Sequence, residues 1–258
     1  MTSGKKARKQ RRAPAPPPVR STGAGGRRAS PKVLAAAAAI ALAAVAAALG
    51  FALTGGSSSN APTTVSQLPD AAAAVSLFKG IPQNGNVLGK ASAPVTMVEY
   101  IDLQCPGCRA FETGVMPTIV PRYVRTGKLR VEARPIAFIG PDSERGRRAA
   151  LAAAQQNHFF DFAQLLYYNQ QTENTGWLNK LFVRSAFASI PGLDAARALS
   201  ASDSAAVTRQ ATHFDDQANA DHLKETPTVL VGKTGQLRTQ MVSPDVSNLS
   251  AAIDSALR

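Results

Sequence analysis

The chain has only two cysteines in 258 residues, Cys105 and Cys108. Both fall in one CxxC, so no structural disulfide is available to staple the fold. Acid is missing from one end: the first carboxylate is Asp70, while residues 1–32 hold ten Lys or Arg. Of the net charge of +12, residues 33–258 therefore carry only +2. The basic balance describes a tail, and it does not indicate a nucleic-acid-binding domain. A closed zinc site needs about four ligands, and no second CxxC or paired His accompanies this one.

The N-terminal third reads as a topology signal. Residues 1–32 are rich in Pro, Gly, Arg and Lys with little to bury, which predicts a disordered basic cytoplasmic tail. Val33–Leu53 is 21 residues without a charge, long enough to span a bilayer at about 1.5 Å per residue. With the cations on its N-terminal flank, the positive-inside rule keeps that end in the cytoplasm and sends the rest across. This reading makes the segment an uncleaved transmembrane anchor in the lipid bilayer. A cleaved signal peptide stays open as the alternative, because Ala-x-Ala matches abound in such a run. Residues 54–84 read as a linker, with a short helix capped by Asp70 over Asp70–Lys79, and the folded domain is expected over 85–258.

The chemistry concentrates in Val95–Glu112, VTMVEYIDLQCPGCRAFE. A β-branched and aromatic run, Val95–Leu103, leads straight into Cys105-Pro106-Gly107-Cys108 and then into an apolar-periodic helix. A strand thus delivers the CxxC onto a helix N-terminus, where unpaired N–H groups and the helix dipole favour a thiolate. Cys105 is the expected nucleophile and Cys108, one turn inward, the resolving thiol. Pro106 suits the first helical position, and Gly107 keeps the approach to the sulfur uncrowded. Glu99 alternates either to solvent or to the interior, with an exposed strand position as the plain reading; Asp102, on the opposite parity, competes with it for any acid–base role.

Further along, Pro117 and Pro121 are expected to kink or restart the helix, and Leu129–Phe138 reads as a strand with Leu129, Val131 and Ala133 on one face. Helical periodicity fills about 142–222, with breaks at Thr175-Gly176 and Pro191-Gly192. His158, Trp177 and the aromatic cluster Phe159, Phe160, Tyr167, Tyr168 read as core or groove lining, and His213 and His222 as helix surface. Thr228–Val231 and Leu237–Val242 form a hairpin, followed by an amphipathic helix capped by Ser243 with Pro244 at its first position.

The order strand, CPGC, helix, strand, long helical stretch, Thr-Pro, hairpin, helix resembles the DsbA-like branch of the thioredoxin superfamily. The segments that carry it are Glu99 six residues before Cys105, MPTIVPRYVRTGKLRVEARPIAF at Met116–Phe138, and ETPTVLVG at Glu225–Gly232. The resemblance spans roughly Leu88–Arg258. It implies an α/β thioredoxin-like fold with a helical insertion domain, here preceded by a single N-terminal transmembrane helix. It further implies that Thr226-Pro227 is cis, faces the CxxC and offers backbone groups to an extended substrate peptide; by itself an X-Pro bond reads as trans, at a strand start. It also implies an acid at Glu99 beneath the site, where a desolvated carboxyl relays the proton of Cys108.

The expected activity is membrane-anchored thiol-disulfide exchange with cysteines of exported proteins, through a redox-active disulfide and no other cofactor. The partner the resemblance implies is a membrane quinone reductase of the DsbB or vitamin K epoxide reductase type. Strongly oxidising DsbA proteins carry His where Gly107 stands, which leaves oxidase, reductase and isomerase open; export to an oxidising compartment favours oxidase. From other classes, a Cu(I)-thiolate metal carrier and an inert binding module with an oxidised CPGC are the rivals.

Overall fold

The computed structural model describes residues 64–236 and 240–258. The basic tail and the 33–53 span expected from sequence lie outside them. Among the described residues no helix is long and apolar enough to cross a membrane.

Six strands form one sheet: β1 (Gln83–Asn84), β2 (Val87–Leu88), β3 (Val95–Ile101), β4 (Leu129–Pro135), β5 (Thr228–Lys233) and β6 (Gln240–Val242), in the order β1-β2-β4-β3-β5-β6. β3 and β4 run parallel, and every other pairing is antiparallel. All seven residues of β3 are buried, as expected for a central strand covered on both faces. β4 instead alternates, burying Leu129, Val131 and Ala133 as the sequence pattern requires.

The segment read as linker contributes to this core. Helix α1 (Ala71–Phe78) buries Ala71, Ala74 and Phe78, and Leu68 ahead of it is buried too, so the core reaches back well before residue 85. The helix stands where the alanine run and Gly80 stop predict one, and its burial shows that it is core and not tether. Asp70 does not cap α1 through its side chain; it takes a left-handed backbone conformation at φ 61°.

The active-site helix runs through its prolines. An α-helical start, α2 (Pro106–Ala110), widens to π-helix over Phe111–Val115, returns to α3 (Met116–Ile119), and widens again over Val120–Val124. Met116 N donates to Phe111 O and Arg125 N to Val120 O, five residues back. A π turn beside each proline accommodates the missing donor, which is the form the expected kink or restart takes.

Between β4 and β5 lies a helical insertion: α4 (Pro141–Ala154), α5 (Phe159–Tyr168), α6 (Lys180–Ala188), α7 (Ala195–Ser202) and α8 (Ala205–Ala220). Asn179, Asp194 and Ser204 each cap the following helix, accepting from the N–H three residues on. Phe159, Phe160, Tyr167 and Trp177 are buried here, and Phe160 meets Phe78 of α1 with ring centroids 5.8 Å apart. The last helix, α9 (Val246–Ala256), packs Leu249 and Ile253 inward. Its cap is Asp245, which accepts from Asn248 N, and not Ser243.

Candidate active site

The sheet topology brings three segments to one edge. β3 ends at Ile101 opposite Pro135 of parallel β4, so the loops leaving both strands emerge together. β5 runs the other way and starts opposite Tyr100, which brings Thr226-Pro227 to the same edge. Cys105 follows β3 as the N-cap of α2, in an extended conformation with Pro106 next.

Both cysteines are free thiols. Cys105 keeps 8% exposure, whereas Cys108 has none. The Cys105 thiol donates to Thr226 O at 3.2 Å, and its sulfur accepts from Cys108 N at 3.4 Å. Cys108 Sγ in turn accepts from Asp102 N at 3.4 Å. The Thr226-Pro227 peptide is cis. Packing there is close: a Cβ on Gly107 would stand 3.3 Å from Pro227 Cδ and 3.5 Å from Cys105 Sγ. Glycine is what lets the 226–227 loop approach this near.

The two thiols are driven apart in acidity. Cys105 is pulled down to about 6 from the usual 9.0, chiefly by the Cys108 thiol, with the Thr226 side chain and the N–H groups of Cys108 and Gly107 outweighing burial. Cys108 is pushed up, first by burial and then by its neighbour Cys105. One sulfur is thus set up to attack or leave as thiolate, and the other to hold a proton.

A family model described as Thioredoxin matches residues 82–255. The chain belongs to the thioredoxin family. A Bacillus anthracis protein named probable disulfide bond formation protein D is 28% identical over 174 residues, covering 66% of this chain and 77% of that protein. The disulfide bond formation protein D of Bacillus subtilis is 32% identical over 114 residues, 42% of this chain and 48% of that protein. Among solved structures, oxidised BdbD of Bacillus subtilis matches with a TM-score of 0.61 at 22% identity, over 69% of this chain and 96% of that one. The α-DsbA1 of Wolbachia pipientis matches at 0.58 and 19% identity, over 67% and 91%. These likenesses place the fold among DsbA-like thioredoxins, and the cysteine pair within it makes this family member a thiol-disulfide oxidoreductase.

The fold also buries two carboxylic acids beside each other, Glu99 and Glu112. Glu99 is fully buried, and neither carboxyl oxygen has a hydrogen-bond partner. Burial pushes it up to about 8 from 4.5. Its neighbour is Glu112, also buried with an unpartnered Oε1, and driven upward by burial and then by the Glu99 charge. Glu112 had no signal in the sequence beyond its place one helical turn after Cys108. Asp102, the competing acid, is differently occupied. Its carboxylate accepts from Gln104 N at 2.8 Å, Phe138 N at 2.8 Å and Ile139 N at 2.9 Å, so it ties the CxxC loop to the loop after β4. Phe138 itself, 56% exposed, stands at this edge of the sheet. Among the described residues, no group of three or more His, Cys, Asp or Glu side chains converges as metal ligands.

Proposed function

We propose that the chain is a membrane-anchored oxidase that introduces disulfide bonds into exported proteins on the extracytoplasmic side. The observation that carries this reading is the lowered Cys105 thiol at a helix N-cap, 3.2 Å from the carbonyl of Thr226.

In the oxidised enzyme a substrate thiolate attacks Cys105 Sγ. The Cys105–Cys108 bond breaks, a mixed disulfide forms, and Cys108 leaves with the electron pair and takes up a proton. A second substrate thiolate then attacks the substrate sulfur of the mixed disulfide, and Cys105 departs as thiolate. The substrate has lost two electrons and gained a disulfide; the enzyme is the dithiol. A leaving group near 6 favours that last step. Thr226 and Pro227 border Cys105 and give the substrate main chain an edge to lie against, while Gly107 lets that loop come close to the sulfur.

Glu99, together with Glu112, is assigned the proton traffic of Cys108. At neutral pH a carboxyl near 8 is a protonated store inside the core, able to meet the thiolate that leaves when the mixed disulfide forms. Reoxidation requires an electron acceptor, and the family resemblance names its class: a membrane quinone reductase of the DsbB or vitamin K epoxide reductase type. The anchor in Val33–Leu53 holds the enzyme beside such a partner.

Oxidation of a reduced, unfolded protein by catalytic amounts of the full-length chain, with oxidised glutathione as the terminal electron acceptor, tests the proposal. The expected result is accelerated loss of free thiols that disappears in Cys105→Ser; equal rates with the variant would end the assignment. Metal content of the purified protein separates the Cu(I) carrier from it.

A further inference from the structure

We propose that Gln170, in the loop after α5, is a positioning residue for the reactive sulfur. Its Nε2 donates to two carbonyls at once, Leu103 O at 3.1 Å and Cys105 O at 3.2 Å. Those carbonyls bracket the Gln104–Cys105 step, where the chain turns from the end of β3 into α2. The Gln104 side chain is held by the same insertion loop and by α4: its Nε2 donates to Ser143 Oγ at 2.9 Å and Asn174 Oδ1 at 3.1 Å, and its Oε1 accepts from Asn174 N at 2.7 Å. The segment 170–174 therefore grips both residues, one through Gln170 and the other through Asn174.

The grip matters because the sulfur's main-chain support is slender. Cys105 Sγ accepts from Cys108 N at 3.4 Å with the Gly107 N–H as a weaker second donor, and such contacts weaken steeply with misalignment. Small freedom at the Gln104–Cys105 step moves the sulfur off those N–H groups and away from Thr226. Losing Gln170 frees this step without orphaning the cap carbonyl, because Cys105 O also accepts from Arg109 N at 3.0 Å. Gln170 also borders an open cleft of about 550 Å³ with Pro106, Arg109, Ala110 and Thr113, so an altered side chain has room.

The inference rests on Cys105 as nucleophile but has its own readout. The test is the pH titration of thiolate absorbance in the reduced full-length chain, where Cys108, pushed far higher, stays silent around the Cys105 transition. Gln170→Met keeps the length and removes the donor; it is expected to raise the Cys105 midpoint by about one pH unit, a tenfold loss of thiolate below the transition. Gln170→Glu, which sets a carboxylate against two carbonyls, is expected to raise it further, and Gln171→Ala, next door, to leave it unchanged. Wild-type midpoints in both Gln170 variants overturn the proposal. Loss of fold in both does so as well, since Gln170 would then be a structural staple. A wild-type chain that fails to oxidise thiols refutes the proposed function instead, and leaves this titration readable.

Discussion

Glu99→Gln gives a prediction whose size follows from the structure. In the unfolded chain the Glu99 carboxyl ionises near 4.5; in the fold it keeps its proton until about 8, because burial disfavours the charge. Between those values the unfolded state has released a proton that the folded state still holds. Stability linked to Glu99 is therefore full below about pH 4.5 and is lost as pH rises toward 8. The whole span corresponds to about 5 kcal/mol, of which about 3 kcal/mol falls between pH 5 and 7. Glu112, raised for the same reason, works in the same direction. Gln has nearly the same shape and no charge to bury, and its amide can donate to the unpartnered Glu112 Oε1. Urea unfolding of the reduced protein at pH 5, 6, 7 and 8 measures the effect. The variant is expected to gain on the wild type by about 3 kcal/mol from pH 5 to 7. Two parallel stability curves, their separation independent of pH, would refute the claim that Glu99 is a buried neutral acid.

Two further outcomes follow from the site. Cys108→Ala leaves Cys105 without its resolving partner, so when its thiolate attacks a disulfide-bonded substrate protein and one substrate sulfur leaves as thiolate, mixed disulfides are expected to accumulate and show as reducible adducts on gels; their absence would separate Cys105 from the exchange chemistry. Asp102→Ala removes an acceptor of three backbone N–H bonds that joins the CxxC loop to the loop after β4. It is expected to cost about 3 kcal/mol of unfolding free energy, since buried donors are left unpaired, and a loss under about 1 kcal/mol would mean water replaces the carboxylate.

The parts of this molecule that could be read from sequence are those with local causes. The run Val95–Ile101, the Cys-Pro-Gly-Cys turn and the apolar start of α2 are written in adjacent residues, and their propensities agree with one another. Alternation at Leu129, Val131 and Ala133 gave β4 its buried face for the same reason. Where cause lies across the fold, the reading failed. The helix α1 was legible in its alanine run and Gly80 stop, but whether it belongs to the core or to the tether was not, because its burial comes only against the insertion. The prolines at 117 and 121 read as points where the helix kinks or restarts, but the π turns that carry the chain through them depend on a carbonyl five residues back and were not legible. Ser243-Pro244 carried a cap signature, yet the hydrogen bond falls to Asp245, two residues on. The active site divides likewise: Cys105 and Cys108 announce themselves, whereas Glu112 and Gln170 matter through contacts with segments 13 and 65 residues away.

The most direct test of the central claim is the reduction potential of the Cys105–Cys108 pair against glutathione. A thiol held near 6 stabilises the reduced form and makes the disulfide a stronger oxidant. The account predicts a potential more oxidising than about −200 mV, and a value near about −270 mV, where thioredoxin lies, would contradict an oxidase.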